Sequence, residues 1–545
     1  MTGNTRTMAE PEGSAVRRRD RTLQGVRLSP DVLVIVLLSL ALAVACLLVQ
    51  GNIDLNLADE GQLWYVTTRT ALGDVPMRDI RSYDPGRYYW GAAWFKLLGP
   101  GIISLRISTT FVQALGLLFG LLTLRRVVLR WWLLATLGVL LLAWMHPVYK
   151  AYESATALAL VWLAVRLLEA PTPVRHFAAG VGIGLAAFVR VDHGLYSTAA
   201  FALLILFRAL RERKVSARDL GAAAAGIVVG YSPMLVMLVA VPGFFGGLIE
   251  HVAYLVRIVA SNGTANLAKP VPWPWVVSAD LPALERLHQI CVGALFMAVP
   301  ALYLLAAVVV VRSPGDDTAG RRLVLAAGFV GVMYAQYTFA RPDLEHLAQS
   351  FHPLVILVTG LGATLGSRLR ARAPALLLLV VGCTGLTVVI KSPVYLWATE
   401  VRNPYVQVRV ADDVLWVHPG VAGLLDSVRV TADAVLAPGE RILVAPHWPA
   451  LYVHLHRESP LWETYFIVPE PEERQRRMIG DLERRNVTAV LLSDLVMDSR
   501  ADLHFGRTHP LVYRYLLERY EKIPVGGMPP WAHFLRRKAT AAVAR

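Results

Sequence analysis

The sequence predicts a polytopic all-α membrane domain of about eleven transmembrane helices, followed by a C-terminal soluble α/β domain. Three observations predict it. The chain is 55% apolar and only 17% charged, with mean hydropathy +0.48, which is membrane-protein composition. Apolar runs long enough to cross a hydrocarbon core of roughly 30 Å recur as far as residue 391. Beyond about residue 395 the apolar runs shorten and polar residues separate them.

Three segments follow: a basic N-terminus (1–31), a membrane domain (32–394) with a long first loop (51–103), and a tail (395–545). The N-terminus carries Arg17-Arg18-Arg19-Asp20-Arg21 ahead of the run Val32 to Val49. That run is long for a signal-peptide core and many spans follow, so it reads as a retained anchor. Spans are expected near 32–50, 104–124, 132–147, 153–168, 174–190, 194–210, 219–241, 289–311, 323–340, 351–367 and 374–391. An odd number places the termini on opposite sides.

Charge orients the spans. With the N-terminus inside, the inner segments hold Arg17 to Arg21, Arg125-Arg126-Arg130, Arg208-Arg211-Arg213-Lys214, Arg321-Arg322 and Arg368-Arg370-Arg372. The short outer loops hold mainly Lys150, Arg190 and Arg341. This is the positive-inside bias. It puts 51–103, 242–288, 341–350 and the tail on the extracytoplasmic side of a multi-pass cell (inner or plasma) membrane protein. The net charge of +14 is spread through these short clusters rather than over one face, so no nucleic-acid partner is expected. Cys46, Cys291 and Cys383 all fall in spans and offer neither a disulfide framework nor a metal-thiolate spacing.

The fifth span is short. His176 to Val189 gives about 21 Å of helix at 1.5 Å per residue. It contains Gly180, Gly182 and Gly184 and ends at Arg190-Val191-Asp192. Arg190 and Asp192 are expected below the outer surface, either as a pair ending two helices or as part of a site. In the tail, Ile442-Leu443-Val444 and Ala489 to Leu492 read as strands around an amphipathic helix, Glu472 to Arg485. Its histidines, His447, His454, His456 and His504, read as surface or packing residues. The loop 242–288, with an interfacial helix near Ile249 to Val259, is expected to cover the site or contact lipid.

The first loop carries the chemistry. It begins Asp54-Leu55-Asn56-Leu57-Ala58-Asp59-Glu60-Gly61 and continues through Gly73-Asp74-Val75-Pro76-Met77-Arg78-Asp79 to Ser82-Tyr83-Asp84-Pro85-Gly86-Arg87-Tyr88-Tyr89-Trp90. Asp59 is placed to cap a helix starting at Glu60. Leu63, Trp64, Val66, Thr67 and Ala71 make a face suited to lying on the bilayer. The aromatics suit the depth of the interface.

This pattern resembles the first loop of the GT-C glycosyltransferases, most closely the family 39-like branch that includes protein O-mannosyltransferases and lipid A aminoarabinose transferases. The motif covers some thirty residues and the span layout extends it to about residue 391. The resemblance implies an enzyme that moves a sugar, with inversion, from a polyprenyl-phosphate donor to an acceptor hydroxyl on the outer face. It matches Asp59 to the catalytic carboxylate and Glu60 to the acidic residue beside it. Family members carry Lys-Pro-Pro where this chain has Asp84-Pro85-Gly86.

The leaving phosphate therefore needs another cation. Arg87, Lys150, Arg190 with Asp192, Arg341 and His346 are the candidates, with Arg341-Pro342-Asp343-Leu344-Glu345-His346 foremost. Arg78, Asp79, Tyr83 and Asp84 are candidates for holding the acceptor or shaping the loop. Asp343, Glu345 and His346 could offer ligands to a divalent metal, but no spacing in the chain is diagnostic, and the lipid-linked sugar donor is expected as substrate with no firm cofactor. Expected partners are the bilayer, that donor, and a glycan, lipid or protein acceptor. Two other readings stay open: a transporter or flippase of lipid-linked sugars, and an assembly protein acting through its tail.

Overall fold

A computed structural model describes residues 29–212, 216–260, 269–312, 317–364 and 378–539. The basic clusters Arg17 to Arg21 and Arg368 to Arg372 lie outside the described residues.

The membrane domain is helical throughout. Its elements are α1 (Pro30–Gln50), α2 (Asp59–Ala71), α3 (Gly86–Leu98), α4 (Ile102–Leu124), α5 (Trp131–Ala143), α6 (Ala151–Glu169), α7 (Pro173–Val189), α8 (Val191–Glu212), α9 (Ala217–Ala240), α10 (Phe244–Ala260), α11 (Ala283–Arg312), α12 (Ala319–Ala340), α13 (Leu344–Ser350) and α14 (His352–Thr364). Next come α15 (Leu378–Lys391) and α16 (Pro393–Thr399). Among the described residues seven helical segments are long and apolar enough to span alone. The pair α13 and α14, bent by 53°, and the pair α15 and α16, bent by 73°, bring the number to nine. The remaining two of the eleven expected segments are the shorter apolar helices α5 and α7. The chain is thus a multi-pass membrane protein.

Local chemistry sets the helix starts. Ser29 accepts from Val32 N with Pro30 in the first turn of α1, and Thr172 with Pro173 does the same for α7. Ser216 and Asp219 form a reciprocal capping box on α9. At α2 the cap is not Asp59: the Asn56 side-chain oxygen accepts from the N–H groups of Ala58 and Asp59, at 3.0 and 2.8 Å. Asp59 is thereby left free to point elsewhere.

The tail folds as an α/β domain. Strands β1 (Val406–Val410) and β2 (Asp413–Val417) form an antiparallel hairpin. Helix α17 (Pro419–Val435) leads to β3 (Ile442–Ala445), α18 (Ala450–His454), α19 (Glu472–Arg484) and β4 (Ala489–Ser493). Then follow α20 (Phe505–Thr508), α21 (Pro510–Arg519), β5 (Tyr520–Lys522) and β6 (Ala532–Arg537). The sheet order is β3-β4-β6-β5, with β3 parallel to β4 and the other pairs antiparallel. Every residue of β3 and β4 is buried, as a strand covered on both faces requires.

The first loop and this domain share one core. Leu63, Trp64 and Val66 of α2 pack with Val444, Leu451 and Tyr452 of the tail. Gly61 abuts Ala450 so closely that a side chain would not fit. The backbones also join: Asp54 N donates to Trp416 O at 2.7 Å and Trp416 N to Asn52 O at 2.8 Å. The apolar face of α2, expected to lie on the bilayer, is instead buried by protein, with Trp64 0% exposed. Tyr88 and Trp90 are likewise anchors rather than an interfacial belt. Tyr88 is buried, and the Trp90 ring nitrogen donates to Ser108 O at 3.0 Å.

Candidate functional site

Asp59 lies at the seam between the first loop, the membrane domain and the tail. One carboxylate oxygen meets Lys150 Nζ at 2.8 Å, and the other accepts from the Tyr465 hydroxyl at 2.8 Å. Lys150, in the turn before α6, also reaches Glu345 at 2.9 Å, so one ammonium joins α2 to α13 through two carboxylates. Burial alone would raise the Asp59 pKa. The Lys150 charge and hydrogen bond, then the Tyr465 hydroxyl and the Arg341 charge, outweigh it and hold Asp59 at about 2. The carboxylate is therefore ionised, and its side chain keeps 37% of its surface exposed.

Glu60 faces the opposite way. Both of its oxygens are held by Arg106, Nε to Oε1 and Nη2 to Oε2, each at 2.8 Å. Arg106 further donates to the carbonyls of Gly51, Ile53 and Asp54. This buried bidentate pair staples the start of the loop to α4, and it leaves Glu60 without a free oxygen to abstract a proton.

The cations form a wall on the far side of Tyr465. Arg190 occupies the single extended residue between α7 and α8. Its guanidinium lies 4.7 Å from the Tyr83 ring centre and 5.1 Å from that of Tyr337. It is balanced by Asp192 at 2.9 Å and Glu153 at 3.1 Å. Tyr337 in turn packs on His346, whose Nδ1 meets Asp343 at 2.7 Å. Arg341 pairs with Asp498 of the tail at 2.7 Å, while its Nε is buried without a hydrogen bond. Lys269 bridges Asp343 and Asp498 at 3.6 and 2.7 Å. Burial would raise Asp343, but His346 and Arg341 pull it down to about 2.

Four expected residues do other work. Arg87 is buried against Glu153 at 3.2 Å and serves to position α6. Asp84, at the position where the resemblance expects Lys, is buried and accepts from Val191 N at 2.8 Å, capping α8 beside Arg190. Burial lifts its pKa to about 6 despite that bond. Arg78 and Asp79 pair with each other at 2.7 Å, and Arg78 reaches Pro242 O. They anchor the loop to the entry of α10. Tyr83 alone of the four loop candidates joins the site, with its ring 47% exposed.

The tail supplies groups that the sequence reading left out: Tyr465, Asp498 and His447. His447, read as a surface or packing residue, lies beside the site, with its ring 5.9 Å from Tyr465 and its Nδ1 buried without a partner. Burial holds it neutral, at about 4, against the pull of Asp59 and Asp498. Helix α10 closes one flank, with Arg81 stacked 3.3 Å from the Tyr254 ring and Arg257 meeting Glu470 at 3.4 Å. Among the described residues, no three His, Cys, Asp or Glu side chains gather as a metal site would require.

The chain is a helical membrane domain whose first loop and C-terminal α/β domain together enclose a charged site. The chain is similar across 94% of its length to ArnT from Cupriavidus metallidurans bound to undecaprenyl phosphate, with a TM-score of 0.51, 13% identity and 99% of that chain covered. The apo ArnT structure gives 0.48, 14% identity and 92% and 97% coverage. The archaeal oligosaccharyltransferase AglB from Archaeoglobus fulgidus, in complex with an inhibitory peptide and a dolichol-phosphate, gives 0.43, 12% identity and 85% and 69% coverage. The likeness to ArnT bears out the fold. No protein-family model and no curated protein sequence matches the chain.

Proposed function

We propose that the chain is a glycosyltransferase that moves a sugar, with inversion, from a polyprenyl-phosphate carrier to an acceptor hydroxyl. The positive-inside bias supports an extracytoplasmic site, where lipid-linked donors replace soluble nucleotide sugars. The observation that carries the reading is the ionised Asp59 beside the wall from Arg190 to Arg341, at the mouth of the membrane domain.

The step balances as a displacement. The acceptor oxygen forms a bond to the anomeric carbon, the bond from that carbon to the phosphate oxygen breaks, and polyprenyl phosphate leaves with the electron pair. Charge grows on the phosphate as the bond lengthens, so Arg341 and Arg190, fixed in advance, favour the transition state over the ground state. Arg341 is held by Asp343 and Asp498, and Arg190 by ring faces as well as by carboxylates.

With a pKa near 2, Asp59 is a weak base. Its role is to accept the hydroxyl's hydrogen bond, aim the oxygen and take the proton only as attack completes. The released phosphate, with a second pKa near 6, is the better final holder of that proton. Lys150 and Tyr465 keep Asp59 charged and aimed.

Asp59→Asn keeps the shape and removes the charge. Transfer of labelled sugar from a polyprenyl-phosphate donor by the purified variant is expected to drop about 10²–10⁴-fold, with binding of the polyprenyl phosphate retained. Full transfer by the variant would remove Asp59 from the mechanism.

A further inference from the structure

A cavity of about 200 Å³ opens between the end of α1, α4 and the turn before α6, and reaches Asn56 and Glu345. Gln113 of α4 lines it, is 1% exposed, and has neither amide atom hydrogen-bonded. A buried amide with both donor and acceptor unmet signals a missing polar partner. Asn56, Glu345, Lys391 and Tyr149 are among the other polar residues that line it, together with the Glu60–Arg106 pair.

The chemistry of the lining selects the occupant. The cations that line it are already matched: Arg106 by Glu60 at 2.8 Å and Lys391 by Glu285 at 2.8 Å. Nothing is left over for a phosphate. Of the amides that line it, Gln50 and Asn56 are already hydrogen-bonded, and unpaired Gln113 offers an NH2 donor group and a carbonyl acceptor side by side, which fits neighbouring hydroxyls. The volume is below the roughly 300–1,000 Å³ of drug-sized ligand sites, which limits the occupant to a single ring.

The cavity also lies where an acceptor must lie. Its lining residue Asn56 accepts from Asp59 N at 2.8 Å, and Glu345 shares Lys150 with Asp59. The other Asp59 oxygen faces Tyr465, toward the Tyr83 and Arg190 side. In an inverting displacement the nucleophile and the leaving group occupy opposite faces of the sugar. We propose that this cavity is the acceptor subsite and takes a neutral sugar ring through Gln113, so that the acceptor is a glycan. The proposal rests on the glycosyltransferase reading.

The test uses the full chain in lipid nanodiscs and saturation-transfer NMR with methyl hexopyranosides and methyl pentosides. At least one glycoside binds the unaltered protein, and saturating undecaprenyl phosphate does not displace it. Gln113→Leu and the near-isosteric Gln113→Met each weaken that binding at least tenfold while undecaprenyl phosphate still binds, which shows the fold intact. Cys46→Phe, filling the cavity from α1, gives the same loss without touching Gln113. The subsite is overturned if no glycoside binds, if the Gln113 and Cys46 variants bind as well as the parent, or if undecaprenyl phosphate competes the glycoside away. Transfer by Asp59→Asn is measured in the same preparations, so loss of the subsite and loss of the carboxylate reading are separate results.

Discussion

Asp59 gains its properties from groups that are far away in sequence. Lys150, from the turn before α6, is the strongest influence lowering its pKa, and burial is the one raising it. The sign is therefore fixed. In the parent protein Asp59 takes a proton only near pH 2, so its titration leaves transfer unaffected down to about pH 4. Lys150→Met removes the opposing charge and lets burial dominate. The acid limb of kcat/KM should then move up, to or above the ordinary carboxylate value of about 3.9. A pH profile of the two proteins, with undecaprenyl phosphate binding as the control for folding, checks this. An unmoved limb would mean that Lys150 does not set the charge of Asp59. The same distances explain what could be read from the chain. Asp59 was legible because an acidic pair directly follows an apolar run. Tyr465, His447 and Asp498 were not, because each is one common residue in a polar tail, far from its partner in sequence (406 residues for Tyr465 and Asp59, 157 for Asp498 and Arg341), with no periodicity to mark it.

At the scale of elements, the shortness of α7 was legible, and its reason was not. Gly180 and Gly184 recur at four-residue spacing, and so do Gly226 and Gly230 of α9. The two stripes face each other. A methyl group on Gly184 would meet Ile227 O and Tyr231 N, and one on Gly230 would meet Val181 O. Without side chains between them the helices approach to backbone contact, the small-residue packing familiar within membranes. This contact fixes the end of α7, and Arg190 is the next residue. Gly184→Ala should therefore force the pair apart, with an overpacking cost of about 1–3 kcal/mol, and displace Arg190. The expected result is a lower thermal midpoint together with weaker undecaprenyl phosphate binding. Gly221→Ala, also in α9 but with open space around it, should change neither. Equal behaviour of the two variants would sever the link between this packing and the phosphate wall. Pattern analysis finds such stripes on single helices, but it does not pair them, since pairing is a property of the tertiary arrangement.

For the whole molecule, the apolar segments were legible because crossing a membrane demands length and apolarity, whereas the 53° and 73° bends in two of them are set by the fold. The union of the first loop with the tail was not. The apolar stripe of α2 reads the same whether lipid or protein covers it, and only the fold decides. Protein covers it: Leu63, Trp64 and Val66 are buried in a core shared with β3 and α18. Each such side chain contributes roughly 1.5–3 kcal/mol when removed from water. The tail is thus a structural half of the candidate site. It closes the core behind α2 while contributing Tyr465 to Asp59 and Asp498 to Arg341. Deleting residues 400–545 should expose the face of α2, loosen the turn that aims Asp59, and unpair Arg341. The truncated chain is expected to lose amide protection across 59–71 in hydrogen exchange, to self-associate on size exclusion, and to transfer no sugar. Tyr465→Phe in the full chain separates the two contributions. It keeps the core and removes one hydrogen bond, so protection of α2 should persist while transfer falls. A monodisperse truncated chain with parental transfer would show instead that the membrane half alone holds Asp59 in place.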